Sequence, residues 1–190
     1  MAGSSTASPD QPVFYYDLGS PQCYIVAETI MAMLPVVPEW EPVLGSEIAP
    51  ADPQQTGREQ IENRIDQLGL QPIRWPPNWP PNSETAMLAA TYAKRIGRAV
   101  AFSLAAFRQA FAGGRDLADE NTVLIAGAAC EIHPTALRRG IELATTRTAL
   151  RSATERAQDA GVTGLPAIQV GGQVLTGTDA LRAATALLTS

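Results

Sequence analysis

Four consecutive residues, Ser20-Pro21-Gln22-Cys23, put a hydroxyl and a thiol one helical turn apart at the start of an apolar periodic run. Serine directly before proline is a helix-start signal, with Ser20 as N-cap and Pro21 at the first helical position. Free backbone N–H groups and the positive end of the helix dipole meet there and stabilise an anion. If that anion is a bound thiolate, its pKa falls and it becomes a nucleophile near neutral pH. The plain alternative is an N-cap serine followed by a buried helical cysteine, and these four residues alone do not choose between the two. A second feature, Gly164-Leu165-Pro166, precedes a strand-like run. Alone it reads as an ordinary turn, because most X-Pro bonds are trans. Paired with the Ser-x-x-Cys helix start, it reads as a cis-Pro166 loop converging on Ser20.

Few other residues compete for a chemical role. Cys23 and Cys130 are the only cysteines and His133 the only histidine, which leaves no disulfide framework and no zinc-type cluster, so no metal is expected. Cys130 reads as a helix-core residue and His133, before Pro134, as a loop or cap residue. With 14 basic and 19 acidic residues the net charge is −5, a surface that repels phosphate backbones and anionic lipid. Nucleic acid and membrane are therefore not expected as partners. Hydrophobic residues make up 45 % and charged residues 17 %, which excludes disorder. No apolar run approaches the roughly 20 residues that span a bilayer. Residues 1–12 carry neither a basic n-region nor an apolar h-region, and read as a disordered tail rather than a secretory signal. A reducing, cytoplasmic setting is the expectation.

The elements that must position Ser20 and Pro166 follow from local pattern. Residues 13–17, β-branched and aromatic, read as a strand. A helix follows from Pro21 with Ile25, Ala27, Ile30, Met31 and Leu34, and stops at Pro35. Residues 39–44 are a second strand candidate, which Pro42 confines to an edge or a strand end. From about 56 to 161 the pattern is helical. Leu88, Tyr92 and Ile96 form one stripe; Val100, Leu104, Phe107 and Phe111 form another, ended by Gly113-Gly114. Asp119 caps a third helix to Ala129, and Pro134 opens a fourth, interrupted one towards Ala160. Glu59, Glu62, Arg64 and Asp66 mark a solvated helix face. The repeat Trp75-Pro76-Pro77-Asn78 and Trp79-Pro80-Pro81-Asn82 reads as a rigid loop whose tryptophans could wall a cleft. Ala167-Ile168-Gln169-Val170, a Gly171-Gly172 turn and Gln173-Val174-Leu175-Thr176 make a hairpin, closed by a helix from Asp179. A β-α-β start and a β-β-α end, parted by helices, is an α/β thioredoxin-like fold with a mainly helical insertion. The halves are 13–55 and 161–190, and the inserted helical domain is 56–160.

Five motifs occur in order: Asp17-Leu18-Gly19-Ser20-Pro21-Gln22-Cys23-Tyr24, Trp40-Glu41-Pro42-Val43-Leu44-Gly45, Trp79-Pro80-Pro81-Asn82-Ser83, Gly161-Val162-Thr163-Gly164-Leu165-Pro166 and Leu175-Thr176-Gly177-Thr178-Asp179. Together they resemble the DsbA-like thioredoxin superfamily, on the branch of 2-hydroxychromene-2-carboxylate isomerases and kappa-class glutathione transferases. The resemblance implies a homodimer with glutathione in the cleft between sheet and helices. It implies that Ser20 hydrogen-bonds the glutathione sulfur and Leu165-Pro166 pairs with the tripeptide backbone. Thr178 and Asp179 would bind the cofactor too, Asp179 through the γ-glutamyl amino group, with Asn82 near the cleft. A small electrophile would be the substrate, for isomerisation or transfer.

The chain departs from that pattern at three places. Gln22 stands where the family usually has an aromatic residue, Ala180 where arginine usually follows the aspartate, and residues 57–69 hold no lysine. Cys23-Tyr24-Ile25 also resembles the second half of an oxidoreductase Cys-x-x-Cys motif, which keeps a redox role for Cys23 in view. Disulfide exchange needs a thiolate attacker and normally a resolving thiol. Ser20 supplies no thiolate at the exposed position, and a cysteine one turn into the helix should be buried. A dithiol mechanism is therefore disfavoured against thiol-dependent addition. A non-catalytic module that holds a thiol or peptide is the other alternative.

Overall fold

β-branched and aromatic side chains at Val13–Tyr16 build the central strand β1 of a four-stranded sheet. A computed structural model describes residues 11–49 and 57–189. The expected tail lies almost wholly outside the described residues, as does the 55/56 boundary. Gln11 and Pro12 are described, and the Pro12 carbonyl accepts from the Glu39 amide at 2.8 Å. β1 pairs in parallel with β2 (Glu39–Pro42), with Phe14 opposite Trp40. On its other side it pairs antiparallel with β3 (Ala167–Val170), which pairs antiparallel with β4 (Gln173–Thr176). The order is β2-β1-β3-β4. Pro42 therefore sits on an edge strand, where its missing N–H costs no ladder bond. The strand is shorter than the expected 39–44: the Val43 amide still bonds Tyr16 O of β1 at 3.0 Å, but the Leu44 amide turns away to Thr154 Oγ1, also at 3.0 Å.

The helices in chain order are α1 (Pro21–Met33), a single turn α2 (Gly45–Ile48), α3 (Arg58–Gln67), α4 (Glu84–Arg95) and α5 (Ala99–Phe107). A π-helical turn, Arg108–Ala112, extends α5 before Gly113 and Gly114. Then come α6 (Glu120–Ala129), α7 (Pro134–Glu142), α8 (Ala144–Asp159) and α9 (Ala180–Thr189). Asp119 caps α6 by accepting from the Asn121 amide at 3.0 Å, and His133 caps α7 by accepting from the Thr135 amide at 3.2 Å. The interruption between α7 and α8 is a single extended residue, Leu143.

One expectation needs correcting. The stripe Leu88, Tyr92, Ile96 suggests a one-faced α4, yet Ala86, Met87, Leu88, Ala89, Ala90, Thr91 and Ala93 are all buried, while Ile96 is exposed. Alanines carry little hydrophobic contrast, so a helix buried on several sides looks one-sided in the sequence. Their small size allows close approach: a Cβ added at Gly140 of α7 would fall 2.3 Å from the Tyr92 ring of α4.

Sheet and helices share one core. Phe14, Tyr16, Trp40 and Ile168 face α1, α4 and α5, with the Tyr16 and Phe107 rings 5.9 Å apart. The Tyr16 hydroxyl and Ser103 Oγ, 2.6 Å apart, satisfy each other inside it. On the opposite face Tyr15, Val43 and Ala167 pack against Ala153 and Ala157 of α8. The lone lysine ties α4 to the edge strand. Lys94 Nζ donates to Glu39 and to Glu41, each at 2.7 Å, with all three side chains mostly shielded. Lys94→Ala leaves the Glu39 carboxylate without its cation and Glu41 with only Arg156, at 3.8 Å. We expect it to lower stability by about 1–3 kcal/mol in urea unfolding. A change within about 0.5 kcal/mol would show that the pair is solvent-screened like a surface bridge.

Candidate active site

Ser20 stands where β1 runs into α1. Its Oγ accepts from the Cys23 amide at 3.2 Å, the N-cap bond expected of it, and its hydroxyl donates to Gln22 Oε1 at 3.2 Å. A ligand sulfur would therefore compete with the Gln22 carboxamide for one hydrogen. Cys23 lies beneath, fully buried, and burial pushes its thiol up to about 12, against the smaller opposing pull of the Ser20 hydroxyl. Cys130, at the end of α6, is also buried and raised by burial; its Sγ donates to Gly127 O at 3.2 Å. Neither carries thiolate near neutral pH. Alkylation by iodoacetamide should therefore require unfolding, read by mass spectrometry with and without denaturant; rapid native labelling of Cys23 would refute its burial.

Asp17 is the residue whose position the sequence did not disclose. Its carboxylate is buried against the cleft floor and holds three elements together. Oδ1 accepts from the Gly19 amide at 2.7 Å and Oδ2 from the Gly45 amide at 2.8 Å. The Ser83 hydroxyl at the start of α4 donates to the same carboxylate. Its backbone carbonyl accepts from the Ser20 amide at 3.1 Å. Burial raises the Asp17 pKa above its ordinary value, and the three donors oppose that rise. The glycines are required by proximity: a Cβ at Gly45 would come 3.0 Å from Asp17 Oδ2. Asp17 opens the first of the five motifs, but nothing local marks it as buried.

Opposite Ser20 stands the loop before β3. The Leu165–Pro166 peptide bond is cis. Pro166 is buried, and its carbonyl accepts from the Gly177 amide at 2.9 Å. Ser20, Leu165 and Thr178 line one cleft of about 730 Å³, together with Asp17, Ser83 and Trp79. Trp79 precedes a second cis proline, Pro80, which sequence reading did not anticipate. Trp75 stays outside this cleft: it meets Trp79 edge-on at 5.1 Å, and its Nε1 donates to Glu62 at 2.7 Å. Asp179 lines a smaller adjoining cleft of about 390 Å³, to which Gln22 and Thr178 also belong. Its carboxylate lies 3.3 Å from Arg182 Nη2. Asn82 is exposed and lines neither cleft; its Oδ1 accepts from the Glu84 amide at 3.1 Å. The structure thus brings Ser20, Leu165 and Thr178 together, with Pro166 behind and Asp179 to one side. Among the described residues no group of three His, Cys, Asp or Glu side chains could hold a metal ion, and no helix is long and apolar enough to cross a membrane.

The DSBA-like thioredoxin domain matches residues 13–188. The chain belongs to this family. Several solved DSBA-like folds superpose on it. A 2-hydroxychromene-2-carboxylate isomerase matches with a TM-score of 0.81 and 15 % identity, over 94 % of both chains. A probable DsbA oxidoreductase from Streptomyces coelicolor gives 0.73 and 17 %, over 94 % of this chain and 88 % of that one. The cytosolic disulfide reductase DsbM from Pseudomonas aeruginosa, solved with GSH, gives 0.68 and 14 %, over 94 % and 97 %. No curated protein matches the chain. The DSBA-like, thioredoxin-type fold expected from the five motifs is the fold observed. Within it, this member has a hydroxyl at the exposed helix end and its nearest thiol buried one turn further in.

Proposed function

We propose that this DSBA-like protein is a thiol-dependent enzyme of the isomerase or transferase type. A low-molecular-weight thiol, glutathione or one of similar size, enters the Ser20 cleft with its sulfur at the α1 N-terminus. The observation that carries the reading is Ser20 itself: a hydroxyl at a helix end, facing the Leu165–Pro166 loop across an open cleft. The hydroxyl and the first-turn amides lower the pKa of a bound thiol, and the resulting thiolate adds to an electrophilic carbon of a small substrate. Expulsion of the thiolate after rearrangement gives isomerisation; loss of a leaving group gives transfer. Leu165 would align the thiol's backbone, and Thr178 and Asp179 its far end. Similarity to an isomerase fold and to a fold solved with GSH supports this reading.

Disulfide exchange, the activity named for other similar folds, needs a thiolate that neither Ser20 nor Cys23 supplies. The test is a glutathione titration by calorimetry, followed by separate assays with a chloronitrobenzene-type electrophile and with insulin as a disulfide substrate. Thiol binding with turnover of the electrophile is expected. Binding with no turnover of either substrate would make the protein a thiol-holding module, and insulin reduction would return it to the oxidoreductases. No thiol binding would end the enzyme reading.

A further inference from the structure

The smaller cleft, about 390 Å³, opens directly off the Ser20 cleft, with Gln22, Ile61 and Thr178 lining both. Four carboxamides line it: Gln22 from α1 and Gln60, Asn63 and Gln67 from α3. On α3 these three recur at i, i+3 and i+7, one face of a helix. The acids Glu59, Glu62 and Asp66 follow the same spacing one residue earlier, on the neighbouring face. That acidic row lies outside the cleft lining, and Glu62 is taken up by the Trp75 indole. The helix therefore sorts its polar residues, neutral amides towards the cleft and acids away from it. Ile25 and Ile61, mostly buried, leave a small apolar patch on its floor. Of the two charged residues that line the cleft, Arg64 and Asp179, the aspartate already has Arg182 beside it at 3.3 Å.

A carboxamide presents a donor and an acceptor side by side without charge. Vicinal hydroxyl groups need both from each partner, and the C–H face of a sugar ring suits an isoleucine surface. We infer that the smaller cleft is a subsite for a neutral, polyhydroxylated group, so that the thiol received at Ser20 is carried on a sugar-like or polyol moiety rather than on a charged peptide. This rests on the proposed thiol site and specifies which class of thiol fills it.

Two matched thiols separate the possibilities: glutathione, and N-acetylcysteine joined through an amide to glucosamine, which keeps the cysteine and replaces the charged ends by hydroxyls. Calorimetry on the unaltered protein should give a Kd for the sugar thiol lower by about tenfold or more, the scale of one or two net hydrogen bonds. The triple variant Gln60→Ala, Asn63→Ala, Gln67→Ala should erase that margin and leave the glutathione Kd unmoved. All three side chains are exposed, and alanine favours the helix, so the variant keeps the buried anchors Ile61 and Ile65. Glutathione binding as tightly as the sugar thiol, or a margin that survives the triple variant, would overturn the subsite while leaving the thiol site standing. Failure of both thiols to bind would remove the thiol site and the subsite with it.

Discussion

Ser20→Ala should slow thiol-dependent turnover near neutral pH by about ten- to a hundredfold. A hydrogen bond to a charged acceptor contributes about 1.5–3 kcal/mol, which is about one to two units in the pKa of the bound thiol. The sign is fixed by which form is stabilised. Ser20 favours the thiolate, so its loss raises the thiol pKa, depletes thiolate at neutral pH and moves the pH–rate curve to higher pH. Thiol binding should weaken less than the rate, because Leu165 and Thr178 stay in place. Absorbance of the bound thiolate against pH, measured beside the rate profile, checks both parts. Ser20→Cys should act in the opposite sense, putting an exposed, low-pKa thiol one turn from Cys23 and conferring measurable insulin reduction. An unchanged rate and thiol pKa in Ser20→Ala would reduce Ser20 to an N-cap, whose loss costs about 1 kcal/mol of stability and nothing else.

Asp17 should matter to both stability and site geometry. Asp17→Ala leaves the half-buried Gly19 and Gly45 amides and the Ser83 hydroxyl without their acceptor, at up to about 1–3 kcal/mol for each group that finds no new partner. Because the same residue fixes the turn that presents Ser20, activity should fall even at temperatures where the variant stays folded. Asp17→Asn isolates the charge. A carboxamide has one oxygen, so one of the two glycine amides would face an NH₂ group.

The pH dependence separates these effects. Burial raises the folded-state pKa of Asp17 above its unfolded value. The folded chain then holds the proton longer, and the stabilising contribution is complete below the ordinary aspartate pKa and lost as pH rises towards the folded value. The advantage of the native protein over Asp17→Asn should be largest at and below the ordinary aspartate pKa, near about pH 4, and shrink as the pH rises above it, read from urea midpoints at each pH. An advantage that grows with pH would mean that the three donors outweigh burial and hold the pKa below the ordinary value.

The local part of this protein was written along the chain. Ser20 before Pro21 specified where α1 begins, because capping depends only on adjacent residues. Asp119, Pro134 and the Gly171-Gly172 turn marked their elements for the same reason, and Pro42 placed β2 at an edge because it cannot donate. The absence of a thiol at position 20 disfavours dithiol chemistry whatever the fold. Tertiary structure decided the rest. Asp17 becomes a buried hub only when Gly45, 28 residues on, and Ser83 arrive beside it. α4 proved buried on several sides because surrounding helices close over its alanines, which carry no periodic signal of their own. The division of labour between the clefts, with Asp179 in the smaller one, Asn82 turned to solvent and Trp79 walling the larger, depends on how α3 and the Trp-Pro loop pack against α1. Caps, turns and periodicity act over a few residues and are legible in one dimension; burial and convergence are set by contacts between distant segments, which only the folded chain brings together.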